Sequence, residues 1–240
     1  MKLFKNISLL ALIFSLSCTK TSPTRLPFFG PKKLAVNGDT LYHQIGSFNL
    51  INQYKDTLSE TIFNHKVTVV NFFFATCKTI CPVMSKHLMH LQDSCIHKNQ
   101  TLDLLHRISS DNTSKKLDVT LASQPKIQFI SITVNPAYDQ PEVLLNYANT
   151  YKAKKGFWNF LTGSKEQIYA LAKNDFLVNA LENTSKSENT AYTPSSEEFI
   201  HSELMMLIDS NRRIRGLYNG TDASSMLLLW NDLKQLQIEP

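Results

Sequence analysis

The chain has 240 residues, 42% of them hydrophobic, a formal charge of +5 and four cysteines. That length and apolar content suit one ordinary domain with appendages, not a disordered chain. Part of the modest positive charge lies at the N-terminus, in Lys2, Lys5, Lys20, Arg25, Lys32 and Lys33. No basic stripe interleaves with aromatics, which argues against nucleic acid as a partner.

Residues 1–18 read as a secretory signal of the lipoprotein type. Lys2 and Lys5 precede an apolar run from Ile7 to Leu16, and Ser17-Cys18 follows. The run falls short of the roughly 20 apolar residues that span a bilayer. A cysteine directly after a small residue resembles the bacterial lipoprotein cleavage site, although Ser15 stands where that site usually has leucine. Ordinary signal cleavage with loss of Cys18 is the alternative. In both cases the mature chain is expected to be exported and periplasm-facing; in the first it is membrane-anchored through Cys18. Residues 19–33, with Pro23, Pro27 and Pro31, read as a flexible tether. Residues 34–240 are the expected folded domain.

Within that domain, Asn37-Gly38 marks a hairpin turn between short extended pieces of LAVNGDTLYHQIG. Phe48 to Ile51 and Thr57 to Ile62 suggest an edge hairpin. Val69 to Phe74 is apolar except for Asn71, and its residues are β-branched or aromatic. That composition predicts a strand buried on both faces, the central kind of a parallel sheet. Met84, Leu88, Leu91 and Cys95 then recur at helical spacing. Asn99 to Gln124 is polar and reads as a surface excursion. Lys126 to Val134 is the next buried strand. Pro141 to Lys154 follows as a helix with Val143, Leu144, Tyr147 and Tyr151 on one side.

Phe157 to Leu161 reads as a short strand, and Ser164 as the cap of a helix carrying Ile168, Leu171 and Ala172. Asn183 to Glu198 is a polar loop. Glu203 to Ile208 and Ile214 to Tyr218 flank Asp209-Ser210-Asn211 as an antiparallel hairpin, with Arg212, Arg213 and Arg215 at its solvated tip. Asp222 to Leu236, striped by Met226, Leu229, Trp230 and Leu233, is the last helix. The order β-α-β-α-β-α-β-β-α predicts an α/β thioredoxin-like fold: a mixed central sheet flanked by helices, with an N-terminal hairpin extension.

Cys77 and Cys81 fall at the strand-to-helix joint, where unpaired backbone N–H groups and the positive end of the helix dipole favour thiolate. If the first turn runs through this segment, positions i and i+4 bring both sulfurs to one face, close enough to share a metal ion or form a disulfide. Pro82 suits a first-turn position. Export makes both the dithiol and disulfide forms accessible. Cys95 lies about 21 Å further along the same helix at 1.5 Å per residue and reads as a small buried hydrophobe. His87 and His90 point roughly 120° and 180° away from Cys81. Like His43, His65, His97 and His106, they are expected at solvated or terminal positions.

The blocks FFFATCKTICP, SITVNPAYDQPEVLLNYA, WNFLTG and HSELMMLIDSNRRIRGLY, in that order, resemble the Sco/SenC proteins over about Ile45 to Leu236. Members of that family are membrane-anchored, thioredoxin-like copper proteins that help assemble the CuA centre of cytochrome c oxidase. The resemblance implies copper ligation by Cys77, Cys81 and His201. Lys78 and Thr79 stand where the family often has proline and aspartate, and Asn135 where it usually has aspartate. Lys78 is expected to lower the Cys77 pKa further.

Two thiolates and an imidazole form a soft, low-coordinate set suited to Cu(I) and able to hold Cu(II), whereas a closed zinc site normally has four protein ligands. Three functional readings follow. The first is a copper metallochaperone serving the CuA-bearing subunit of cytochrome c oxidase or another exported copper protein. The second is a thiol–disulfide oxidoreductase that reduces such a partner's copper-ligand cysteines, with Cys77 attacking and Cys81 resolving. The third, a peroxide-reducing enzyme, gives the CxxxCP spacing and His201 no evident task.

Overall fold

The computed structural model describes residues 25–108, 126–178 and 202–239. Strands β1 (Lys32–Leu34) and β2 (Thr40–Tyr42) form a hairpin of their own. The main sheet runs, edge to edge, through β4 (Thr57–Ser59), β3 (Asn49–Asn52), β7 (Trp158–Thr162), β6 (Lys126–Thr133), β5 (Lys66–Phe73), β8 (Leu204–Ile208) and β9 (Ile214–Asn219). The three central strands β5, β6 and β7 are parallel, and antiparallel hairpins complete both edges. This is the mixed thioredoxin-like sheet expected from the element order, with the predicted hairpin extension at its N-terminal side.

Helix α1 (Ile80–Ile108) follows β5, α2 (Pro141–Thr150) follows β6, α3 (Lys165–Ala170) follows β7, and α4 (Ala223–Ile238) ends the fold. The last three begin where the sequence supplies the chemistry for a start. Pro141 opens α2, the Ser164 hydroxyl accepts the Gln167 N–H at 3.2 Å, and the Asp222 carboxylate accepts the Ser225 N–H at 2.9 Å. Helix α1 is longer than the apolar stripe predicts. Residues 99–108, read as the start of a surface excursion, continue the helix, while 109–125 and the loop expected over Asn183 to Glu198 lie outside the described residues.

The two sheet faces carry separate cores. Met84, Leu88, Leu91 and Cys95 of α1, Leu144 and Ala148 of α2, and Met226, Leu229 and Leu233 of α4 cover one face with Val69, Phe73, Phe129 and Phe160. Ile168, Leu171 and Ala172, together with Ile45, Phe48 and Phe63, cover the other over Val70, Phe72, Ile130 and Ile132. Successive residues of β5 thus serve opposite cores, which is why the strand is apolar almost throughout. Its one interruption, Asn71, is satisfied inside the sheet: its side-chain carbonyl accepts the Ser131 hydroxyl at 2.6 Å, and Ser131 Oγ accepts the Trp158 indole N–H at 2.9 Å. Cys95 is fully buried in the first core, the small-hydrophobe role expected of it.

Two expectations from the N-terminal and hairpin segments need correction. The stretch read as a tether is docked from Arg25 onward: Arg25 pairs with Glu239 at 2.8 Å, Leu26 is buried, and Lys32 to Leu34 already form β1. Nor is the basic tip of the β8–β9 hairpin wholly solvated. Arg215 is buried, pairs with Asp209 at 3.2 Å and with Glu239, and donates to the carbonyls of Pro27 and Leu26 at 3.0 and 2.7 Å. A guanidinium has five donors in a rigid fork, and this burial is tolerated because carboxylates and carbonyls meet them.

Candidate dithiol and metal site

Strands β5 and β6 end side by side, Phe73 opposite Thr133, with the Val134 N–H bonded to the Phe73 carbonyl at 2.8 Å. The chain leaves β5 through a tight turn, closed by the Cys77 N–H on the Phe74 carbonyl at 3.2 Å, and enters α1 at Ile80. Cys77 therefore precedes the helix, and Cys81 lies in its first turn. The two residues meet through the backbone instead: the Cys81 N–H points at Cys77 Sγ at 3.5 Å, and the Thr79 hydroxyl lies 3.8 Å from the same sulfur. No disulfide joins the pair.

The two thiols are chemically unequal. Burial works against the Cys77 thiolate, but hydrogen bonds from Cys81 and Thr79 outweigh it and bring the pKa below its ordinary value. Burial dominates at Cys81 and pushes its pKa up to about 12. Their exposures, 9% and 2%, follow the same order. The helix start thus activates only one of the two cysteines. The cause at Cys77 is the hydrogen bonds from Cys81 and Thr79, not the neighbouring Lys78, which is exposed.

A residue that sequence reasoning did not single out supports this loop. Asp139 is fully buried; its Oδ2 accepts the Ala75 N–H at 3.0 Å and the Thr133 hydroxyl, while Oδ1 has no hydrogen-bond partner. Burial raises its pKa. Asp139 thereby ties the loop after β6 to the backbone two residues before Cys77. The available signal was its place in SITVNPAYDQPEV, just beyond a buried strand. On the Cys81 side, Tyr147 donates to or accepts from the Ser85 hydroxyl at 2.9 Å and stacks its ring at a tilt against Phe73. Burial raises the Tyr147 pKa, so its phenol stays protonated.

The histidines separate as well. A ring nitrogen of His87 lies 2.8 Å from the Gly220 carbonyl, so this residue braces α1 against the β9–α4 turn instead of standing in solvent. A ring nitrogen of His43 lies 2.6 Å from the Asp175 carbonyl, and His65 and His90 are exposed. His201 and Cys18 lie outside the described residues. Among the described residues no three His, Cys, Asp or Glu side chains gather as a metal site. Strand β8 opens at the cysteine end of the sheet, since it runs antiparallel to β5 with Met205 opposite Asn71.

A mixed sheet that delivers one activated and one buried thiol to a helix start defines a thioredoxin-like dithiol protein. The chain belongs to the SCO1/SenC family, whose pattern matches residues 38–107 and 108–235. It is 25% identical over 197 residues to the SCO1 protein homolog of Bacillus subtilis, covering 82% of this chain and 84% of that one. Among solved structures it is similar to a SCO1/SenC family lipoprotein from Bacillus anthracis, with 24% identity, TM-score 0.56 and 81% and 95% of the two chains covered. It is also similar to BsSco, a member of the Sco family of cytochrome c oxidase assembly proteins in which a disulfide switch is identified, with 22% identity, TM-score 0.58 and 82% and 95% covered. Copper-bound ScoI of Bradyrhizobium japonicum shares the fold at 16% identity and TM-score 0.51, over 80% and 99% of the chains.

Proposed function

We propose that this chain is a copper-binding metallochaperone: Cys77, Cys81 and His201 hold a copper ion and pass it to the CuA-bearing subunit of cytochrome c oxidase or to another exported copper protein. The observation that carries this reading is the Cys81 backbone N–H aimed at Cys77 Sγ at 3.5 Å, which holds an activated Cys77 sulfur at the helix start whose first turn carries Cys81. Soft sulfur donors select Cu(I), and an imidazole extends the set to Cu(II). Membership of the family and the copper-bound relatives support it further. Strand β8, which begins three residues after His201, opens at the cysteine end of the sheet, and this supports the choice of His201 as third ligand. Copper is cargo here, so a site with few protein ligands suits release by ligand exchange.

The unequal thiols favour a second reading. The Cys77 thiolate attacks a partner disulfide, forming a mixed disulfide and releasing one partner thiolate. Cys81 then loses its proton and attacks Cys77 Sγ, releasing the second partner thiol and leaving a Cys77–Cys81 disulfide for an external dithiol to reduce. One experiment separates the two. The full chain, reduced in detergent, is expected to bind a single copper ion, and His201→Ala to weaken binding and change the Cu(II) spectrum while the cysteine pair stays redox-active. Unchanged affinity and spectrum in His201→Ala would refute the three-ligand site. Rapid turnover of a model disulfide by a wild-type chain that holds no copper would favour the reductase.

A further inference from the structure

The end of the molecule opposite the cysteines combines exposed aliphatic side chains with unpaired basic ones. Hairpin β1–β2 pairs only with itself, apart from the seven-stranded sheet. Leu34 is 79% exposed, Leu41 55% and Val36 fully so, and Ile238 at the end of α4 is 65% exposed. Behind the hairpin, Phe28 stacks on Tyr42 with ring centroids 3.9 Å apart, and Lys32 Nζ lies 5.7 Å from the Tyr42 ring.

Strand register places this hairpin at the far end. Lys66 and Lys126 open β5 and β6 side by side, and Ile208, opposite Thr68, leads into the 209–213 turn at that same end. The Ile45 N–H bonds the Arg212 carbonyl at 2.9 Å and the Phe29 N–H bonds the Ile214 carbonyl at 3.0 Å, so both strands of the hairpin spring from this turn. Lys32, Lys33, Lys66, Lys126 and Arg212 carry no ion pair to a carboxylate among the described residues. The acidic groups nearby are mostly occupied. Asp209 and Glu239 are held by Arg213, Arg215 and Arg25, and Asp175 accepts the Gly46 N–H at 2.7 Å. Asp39, bonded to Asn37 at 2.7 Å, is the acidic residue of the hairpin turn.

Arg25, the first described residue, lies at this end, pinned to Glu239. Cys18 precedes it by seven residues, a reach of at most about 25 Å in extended chain, and the apolar run Ile7 to Leu16 lies just before. Meanwhile the eight residues of β5 put the cysteines roughly 26 Å away at the opposite end.

We propose that this end is a membrane-facing surface: the tip of hairpin β1–β2 dips edge-on into the interface of an anionic phospholipid bilayer, carrying Leu34 and Leu41 from its two faces and Val36 from its turn among the headgroups, with Cys77 and Cys81 directed away. The proposal rests on the reading of the chain as exported and anchored through its N-terminal segment. Aliphatic side chains flanked by lysines are the composition that partitions into such an interface, each basic residue near an anionic surface adding roughly fivefold to binding. A second copy is the poorer occupant, because Lys32 and Lys33 on β1, with Pro31 just before it, oppose edge-to-edge strand pairing.

The test uses the full chain with Val36→Trp, reconstituted with phosphatidylcholine vesicles with or without phosphatidylglycerol. Wild-type emission is subtracted to remove Trp158 and Trp230. The introduced indole is expected to shift blue and to be quenched by brominated acyl chains at least about twofold more in anionic vesicles than in neutral ones. Lys32→Glu/Lys33→Glu should abolish that difference. Leu227→Trp, on an exposed face near the start of α4, should remain open to aqueous iodide and unquenched by lipid. A chain that floats with vesicles while the Val36→Trp indole stays in water keeps the anchor and overturns the surface. A chain that does not float overturns both. A blue shift that grows with protein concentration and needs no lipid assigns the hairpin to self-association and overturns the proposal. Copper loading enters none of these readouts, so the metallochaperone reading stands or falls separately.

Discussion

The inequality of Cys77 and Cys81 can be converted into a rate. At pH 7 a thiol of pKa about 12 is thiolate in roughly one part in 10⁵, whereas Cys77, below its ordinary 9.0, exceeds about one part in 10². The thiolate populations thus differ by at least about a thousandfold. The more basic thiolate is intrinsically the better nucleophile, and a Brønsted slope of about 0.5 over three units returns roughly thirtyfold to Cys81. The net expectation is alkylation of Cys77 about thirtyfold faster, widened by the deeper burial of Cys81. Limiting iodoacetamide on the reduced full chain, followed by peptide mapping across pH 5–10.5, measures this. Cys77 labelling should reach half its plateau below pH 9. Equal labelling of the two cysteines, or a Cys77 midpoint above its ordinary value, would refute the hydrogen-bonding argument.

Arg215→Met leaves buried Asp209 with Arg213 alone and half-buried Glu239 with Arg25 alone, and with the charges still partnered should cost about 1–3 kcal/mol in urea unfolding. Ser131→Ala orphans the Trp158 N–H and the Asn71 carbonyl, at roughly 1–3 kcal/mol each, and the loss should be read as a lower melting temperature with the alkylation ratio unchanged. Stability should also fall in base. Cys81 keeps its proton in the folded state, so its contribution is complete below the unfolded pKa of about 9 and is lost as pH rises towards about 12. The Tyr147 and Tyr218 phenols, raised by burial, act in the same direction at higher pH. Melting temperatures between pH 8 and 11 should decline less steeply for Cys81→Ala than for wild type.

Much of the fold was legible because its central elements are locally self-consistent. The β-branched and aromatic run before Cys77 predicts a central strand, and the caps Ser164 and Asp222 predict helix starts that the structure places within a residue. Helix α1 was read too short because its apolar stripe fades after Cys95, and periodicity gives no signal where the helix becomes polar. Arg215 was misread because its partners Asp209, Glu239 and Leu26 lie 6, 24 and 189 residues away along the chain. No local pattern of charge reveals such a convergence. Asp139 escaped notice for a similar reason: a lone carboxylate in a loop reads as solvated until its burial is known.

The sequence by itself determined the order of elements, the two-sided burial of the central strand and the location of a cysteine pair at a helix start. These follow from hydrophobic period and from the backbone chemistry of helix termini, both of which act over a few residues. Only the tertiary structure decided that the two thiols differ, since the pKa of each is set by how deeply it is buried and by which N–H groups reach it. It alone also decided that Arg25 and Leu26 are pinned at the end of the sheet opposite those thiols. Register between strands far apart in sequence sets that polarity, and with it the direction in which the cysteines face.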